Sequence, residues 1–360
     1  MGKKILLKGN EAIAEAAIRA GCEFYAGYPI TPQSELTEYM AKHLPESDGI
    51  FIQAESEIAA INMIYGASAA GARVMTSSSG PGMSLKQNGI SYLAMAKLPS
   101  VIVNMMRGGP GLGDINPSQA DYFQATRGGG HGDYRTIVLA PSTCQEAFDL
   151  TLLAFDLADK YRTPVLVLGD GALGQMDEPV EFKPYKKLTL PPKDWILTGA
   201  EKRPHRTIVP FSLDQYKVEK MNLELEETYK RIKASEVRYE LVNWSEDNDI
   251  FIAAFGITAR ISKTVIREAK KEGIKVGLVR PITLWPFPYG IIREAAEKFK
   301  KDFLVAEMNL GQMLEDIHLA VQGKSQIYFY GRSGGTIPSV GEILEKVRKI
   351  KEGEDEESIL

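Results

Sequence analysis

Phe24-Tyr25-Ala26-Gly27-Tyr28-Pro29-Ile30-Thr31-Pro32 sets the alternation that the rest of the chain repeats. Its first half is aromatic and small, as a short buried strand would be, and its second half is broken by two prolines. Thr31 suits an N-cap and Pro32 the first helical position, so the spacing predicts a helix from Gln33 to about Lys42. Upstream, Glu11 to Ala20 (EAIAEAAIRA) is rich in helix formers and is ended by Gly21. Helix, strand, loop and helix therefore follow one another within the first 42 residues.

The same alternation continues outward. Gly49 to Gln53 reads as a strand, Glu55 to Ala70 as an Ala-rich helix, and Val74 to Ser77 and Ser100 to Met105 as strands separated by a glycine-rich turn and a helix. Thr163 to Leu168, running into Gly169-Asp170-Gly171, reads as the last strand of this unit. Strands linked by crossover helices predict a doubly wound α/β domain with a mostly parallel sheet, over residues 1–175. Residues 176–245 differ: prolines cluster at 179, 184, 191, 192, 204 and 210, and Leu213 to Glu240 reads as a long polar helix. Two readings of this segment stay open, an inter-domain connector with a surface helix and an arm that grips a partner subunit. A second α/β pattern occupies residues 246–350, with strands at Ile250 to Phe255, Lys275 to Val279, Phe303 to Glu307 and Ile327 to Tyr330. Helices are expected at Ile257 to Lys271, Ile291 to Lys300, Met313 to Val321 and Val340 to Lys351, and Arg280 to Pro288 as a loop. Residues 351–360 form an acidic tail, expected to be solvated.

Composition narrows the function classes. The 360 residues carry 43 Lys+Arg against 47 Asp+Glu, a net charge of −4, so no global field draws the chain to nucleic acid or an anionic membrane. The start of the chain is too short in apolar residues for a signal peptide, and no apolar run reaches the ~18 residues of a spanning helix. A cytoplasmic protein is expected. The two cysteines, Cys22 and Cys144, cannot supply a disulfide framework, a four-cysteine zinc site or a full iron–sulfur ligand set.

Several features bear on chemistry. Glycines concentrate in Ser78-Ser79-Gly80-Pro81-Gly82, Gly108-Gly109-Pro110-Gly111-Leu112-Gly113 and Gly128-Gly129-Gly130-His131-Gly132. Such turns after strands are where backbone approaches a ligand in an open α/β sheet, although none matches the phosphate-loop or dinucleotide fingerprint. Glu55 and Glu57 could both simply complement a helix dipole. Small and apolar flanks set Glu57 apart, because a partly buried carboxylate could share a proton with a bound heterocycle. Arg107 ends a strand beside two glycines, which suits either a structural ion pair or bidentate capture of a carboxylate. His131, between glycines, reads more readily as a loop residue than as a catalyst.

Gly27-Tyr28-Pro29-Ile30-Thr31-Pro32, Glu55-Ser56-Glu57-Ile58-Ala59-Ala60 and Thr76-Ser77-Ser78-Ser79-Gly80-Pro81-Gly82 together resemble the alpha subunit of 2-oxoacid:ferredoxin oxidoreductases. Asn104-Met105-Met106-Arg107-Gly108-Gly109-Pro110 and Arg280-Pro281-Ile282-Thr283-Leu284-Trp285-Pro286 extend the resemblance, which runs from Gly9 to Val340. The 2-oxoisovalerate (branched-chain) and 2-oxoglutarate types are the most similar. The resemblance implies a thiamine diphosphate-binding pyrimidine-type domain followed by a transketolase C-terminal-like domain. It implies oxidative decarboxylation of a 2-oxo acid, branched-chain favoured, to an acyl-coenzyme A and CO2, with electrons passed to ferredoxin.

By motif position, Glu57 matches the glutamate that contacts the aminopyrimidine, Arg107 the arginine that holds the 2-oxo acid carboxylate, and Thr31 a threonine that lies against the substrate. Tyr28, Pro29 and Ile30 belong to the same loop and are expected to border the cofactor. No role transfers to His131 or Asn10. The diphosphate, Mg2+ and [4Fe-4S] are expected on partner chains, namely a beta subunit with gamma and ferredoxin-like delta subunits. A non-redox thiamine-dependent decarboxylase or transketolase-like subunit is the alternative enzyme, and a non-catalytic scaffold subunit the alternative of another class.

Overall fold

The computed structural model describes residues 4–355. Part of the acidic tail, residues 356–360, lies outside the described residues.

Seven strands form the first sheet, in the order Thr283–Trp285, Ile137–Leu139, Pro164–Asp170, Ser100–Met106, Val74–Ser78, Phe24–Gly27 and Ile50–Gln53. The paired neighbours run parallel except at the Thr283–Trp285 edge. The central strands are buried along their length, as a parallel sheet covered on both faces requires. Five strands form the second sheet, in the order Ile327–Gly331, Asp302–Glu307, Ile250–Ala253, Val276–Pro281 and Tyr239–Val242, the last antiparallel. A two-stranded ribbon pairs Lys4–Lys8 with Asp177–Glu181.

The doubly wound α/β class expected from the alternation is the class observed, and most elements fall within two residues of their expected places. Four differences have physical causes. The helix after the proline loop spans Ser34–His43, so Thr31 is not its N-cap; Gln33 N–H donates to the Ile30 carbonyl at 3.0 Å and closes a turn first. Ile137–Leu139, too short to stand out, is a strand because Pro164–Asp170 templates it. Within the expected loop after Arg280, Thr283–Trp285 adds an edge to the first sheet, a pairing across more than 140 residues that local pattern does not carry. The polar helix spans Gln215–Ser235 and stops short of Glu240, because Tyr239–Val242 joins the second sheet. Residues 176–245 thus give one strand to the ribbon and one to the second sheet.

Buried polar contacts seal the seam between the sheets. Gln119 Nε2 donates to the Phe255 carbonyl at 2.9 Å, and its Oε1 accepts from Thr258 Oγ1 and the Met308 N–H, both at 3.0 Å. Tyr122 donates to Asp316 at 2.6 Å. Arg280, 1% exposed, reaches Glu146 at 2.6 and 2.8 Å, Ser142 Oγ at 3.0 Å and Glu240 at 2.7 Å. Burial would raise Glu146, but the Arg280 hydrogen bonds outweigh it and hold the carboxyl below its ordinary range.

Candidate functional site

In a parallel sheet the carboxyl ends of the strands share one edge, and ligands bind in the crevice there. The stretches after Gly27, Gln53, Ser78 and Met106 all leave that edge; those after Gly27, Ser78 and Met106 carry proline- or glycine-rich motifs, and the one after Gln53 carries Glu55 and Glu57.

Glu57 opens the helix Glu57–Ala69, whose N-cap Ser56 accepts from the Ala59 N–H at 3.2 Å. The residue is 6% exposed, and among the described residues no hydrogen-bond partner meets its carboxylate. Its oxygens are not sealed from solvent, which leaves them open to a ligand. Gly82 packs on Glu57: a Cβ there would lie 2.4 Å from Glu57 Oε1 and 2.2 Å from Ser78 Oγ, so only glycine lets the turn close over the carboxylate.

Arg107 is 8% exposed at the end of Ser100–Met106. Its terminal nitrogens donate to two carbonyls, Thr31 at 3.0 Å and Leu112 at 2.8 Å, while Nε is buried without a partner. Among the described residues no carboxylate pairs with it. The nearby Asp121 is pushed up by burial, partly offset by a 2.9 Å hydrogen bond from Asn104 and by the charge of Arg107. Gly80, at φ +46°, lies against Arg107 Nε. One turn, Ser78–Gly82, therefore touches Arg107 through Gly80 and Glu57 through Gly82.

The proline loop completes the group. Thr31 is joined to Arg107 through its carbonyl and is half-buried, as is Ile30, whereas Tyr28 and Pro29 are exposed. Asn10, fully buried, pins this loop by donating to the Pro32 carbonyl at 2.7 Å and to Glu35 at 2.9 Å. That task was unreadable from sequence, since the partners lie more than 20 residues away. His131 belongs elsewhere: it lines a cavity with Ser91, Tyr92 and Phe211, at the far end of the helix Gly80–Met95. Lys86, on that same helix and not singled out by the sequence, is fully buried and lies within the field of Glu57.

The arrangement offers a guanidinium with spare donors and a buried carboxylate, together with the unpartnered hydroxyls of Ser78 and Ser79. It fits an anionic substrate at Arg107 and a heterocycle with polar edges at Glu57. Around it stand exposed apolar side chains, Ile58, Leu85, Leu112 and Ile115, a rim that another surface would cover. Among the described residues no group of three or more His, Cys, Asp or Glu could hold a metal ion, and Cys22 and Cys144 are both buried. No described helix is long and apolar enough to cross a membrane.

Fold and site together define a thiamine diphosphate-binding type of protein: the family described as pyruvate flavodoxin/ferredoxin oxidoreductase, thiamine diphosphate-binding, matches residues 15–243. Pyruvate:ferredoxin oxidoreductase core domain II matches residues 248–343. The chain belongs to the pyruvate flavodoxin/ferredoxin oxidoreductase family. It is 50% identical over 345 residues to the ketoisovalerate oxidoreductase subunit VorB of Methanothermobacter marburgensis, covering 96% of this chain and 97% of that one. It is 39% identical over 378 residues to the 2-oxoglutarate synthase subunit KorA of the same organism, covering 98% and 100%. A solved 2-oxoglutarate:ferredoxin oxidoreductase from Magnetococcus marinus, with 2-oxoglutarate, coenzyme A and succinyl-CoA bound, superposes with a TM-score of 0.86 at 27% identity. That match covers 97% of this chain and 66% of the longer one. A split-gene transketolase (TM-score 0.59, 14% identity) shares the fold.

Proposed function

We propose that this chain is the alpha subunit of a cytoplasmic 2-oxo acid:ferredoxin oxidoreductase that converts a branched-chain 2-oxo acid and coenzyme A to acyl-coenzyme A and CO2. The observation that carries the reading is the pairing of a buried glutamate, Glu57, whose carboxylate no described residue hydrogen-bonds, with a buried guanidinium that lacks a carboxylate, Arg107, across one glycine turn. Similarity over nearly the full length of a ketoisovalerate oxidoreductase subunit supports the branched-chain preference over 2-oxoglutarate.

The residues divide the work. Glu57 holds the aminopyrimidine of thiamine diphosphate through a polar ring edge and shares a proton with it. Tyr28, Pro29 and Ile30 border the cofactor from the adjoining loop. Arg107 takes the 2-oxo acid carboxylate with the donors that carbonyls now occupy, and the Thr31 hydroxyl steadies the neighbouring oxygen. Asn10 keeps that loop in place. The cofactor, when bound, supplies the electron sink for carbon–carbon cleavage.

The apolar rim around the site supports a shared interface with a beta subunit that binds the diphosphate and Mg2+. With only Cys22 and Cys144, both buried, this chain offers no ligand set for [4Fe-4S], so the clusters and the path to ferredoxin fall to the beta and ferredoxin-like delta subunits, with gamma completing the complex.

The test is a 2-oxo acid panel with coenzyme A-dependent viologen reduction, run on the chain alone and after reconstitution with its cluster-bearing partners. The expected result is no activity alone and, in the complex, a higher kcat/KM for 3-methyl-2-oxobutanoate than for 2-oxoglutarate. Activity of the lone chain would overturn the division of labour, and a preference for 2-oxoglutarate would overturn the substrate.

A further inference from the structure

Lys86 lies on the helix Gly80–Met95 and is fully buried, a placement that an ammonium tolerates only with compensation. Gly82 and Lys86 are four residues apart and share one helix face, and helical side chains lean toward the N-terminus. The Lys86 stem therefore runs back toward the turn that closes over Glu57.

There Nζ donates to Thr76 Oγ1 at 2.5 Å and to the Ser77 carbonyl at 3.1 Å. Thr76 in turn donates to the Ala26 carbonyl at 2.6 Å, so the ammonium ties together the ends of the two strands that carry the proline loop and the glycine turn. Two of its three protons go to neutral oxygens. Among the described residues, the charge acting on it is Glu57, on the facing helix, which opposes the lowering of Lys86 by burial to about 7. The other titratable group of the cluster, Tyr25, bonds to Ser77 and is pushed up to about 12 by burial, so it stays neutral. Neither the resemblance nor the proposed chemistry gives this lysine a task.

We propose that Lys86 is a positioning residue of the cofactor site, whose ammonium is the counter-charge that holds the Glu57 carboxylate aimed at the aminopyrimidine. This rests on the function proposed above. It places a positive charge beneath the turn that closes over Glu57, at the strand end that Lys86 already braces. It also explains why the lysine is spent on the interior rather than on solvent.

The test is calorimetric titration of thiamine diphosphate with Mg2+ into the assembled complex between pH 6 and pH 9, for the wild type and Lys86→Met. Methionine keeps the length of the stem and removes the charge. At pH 6 the variant should bind about tenfold more weakly, roughly one pK unit of lost charge pairing. The gap should close as pH rises past about 7, because an unprotonated lysine and a methionine carry the same charge. Equal affinities at pH 6, or a gap constant across the range, would overturn the proposal; the latter would mark a packing role. Should Lys86→Met not assemble, Glu57→Gln reads the coupling from the other side: the pH step of the wild type should vanish, and its survival would overturn the proposal. A complex that binds no thiamine diphosphate at any pH counts against the proposed function itself, a distinct outcome.

Discussion

Two buried arginines, at the seam and at the strand-end site, show how the chain treats charge in its interior. Arg280 is answered within the chain by the carboxylates of Glu146 and Glu240 and the hydroxyl of Ser142. Arg107 is nearly as buried, yet it meets only backbone carbonyls and keeps Nε unpartnered. A protein that can complete a buried guanidinium this thoroughly leaves another incomplete at a cost. The difference separates a rivet from a proposed socket: Arg280 holds two sheets together, and Arg107 keeps donors suited to the anion proposed above.

The comparison breaks most readily in stability. Arg280→Met leaves Glu146 with only Ser142 and Glu240 with only Lys263 at the seam, and should cost about 3 kcal/mol in chemical denaturation. Arg107→Met frees only two carbonyls at the edge of a crevice and should cost about 1 kcal/mol or less. Equal losses would erase the distinction.

A smaller effect sharpens the seam. Tyr122→Phe removes a 2.6 Å hydrogen bond to the buried Asp316, which keeps Arg127 and Tyr289 as partners. A loss of about 1–3 kcal/mol is expected in the same assay.

Lys86 gives a signed pH dependence on the site side. The unfolded chain keeps this proton to about 10.5, whereas the folded chain releases it near 7. Between those values the unfolded state binds more protons, so stability attributable to this group rises with pH, and below 7 the cost of the buried ammonium is fully present. Denaturation of wild type against Lys86→Met should show the wild type gaining on the variant from pH 7 upward. A parallel pair of profiles would contradict it.

The smallest effect concerns the polar helix Gln215–Ser235. Its ion pair from Glu224 to Lys97 is solvent-exposed, so Glu224→Gln should change stability by no more than about 0.5 kcal/mol. A larger loss would mean that this helix is anchored to the first sheet more firmly than its contacts indicate.

Much of the fold was legible because its signals are local. The strand Phe24–Gly27, the Ala-rich helix that follows Gln53 and the glycine turn of Ser78–Gly82 each announce themselves within a few residues, although the helix begins at Glu57 behind a Ser56 cap and not at Glu55. The flanks of Glu57 also foretold its burial. What stayed hidden depends on residues far apart in the chain. Nothing near Arg280 points to Glu146, 134 positions away, and nothing around Asn10 points to the Pro32 carbonyl. Lys86 was hidden for another reason: a lysine on a helix reads as a solvated position, and only the packing of Glu57–Ala69 against Gly80–Met95 turns it inward.

The most direct measurement is the KM for 3-methyl-2-oxobutanoate in the reconstituted complex, wild type against Arg107→Met, with melting temperatures taken in parallel. If Arg107 is the socket for the substrate carboxylate, KM should rise about 100-fold while the melting temperature stays close to that of the wild type. An unchanged KM would contradict the assignment of the strand-end site, and so would a KM that rises only together with a collapse in stability.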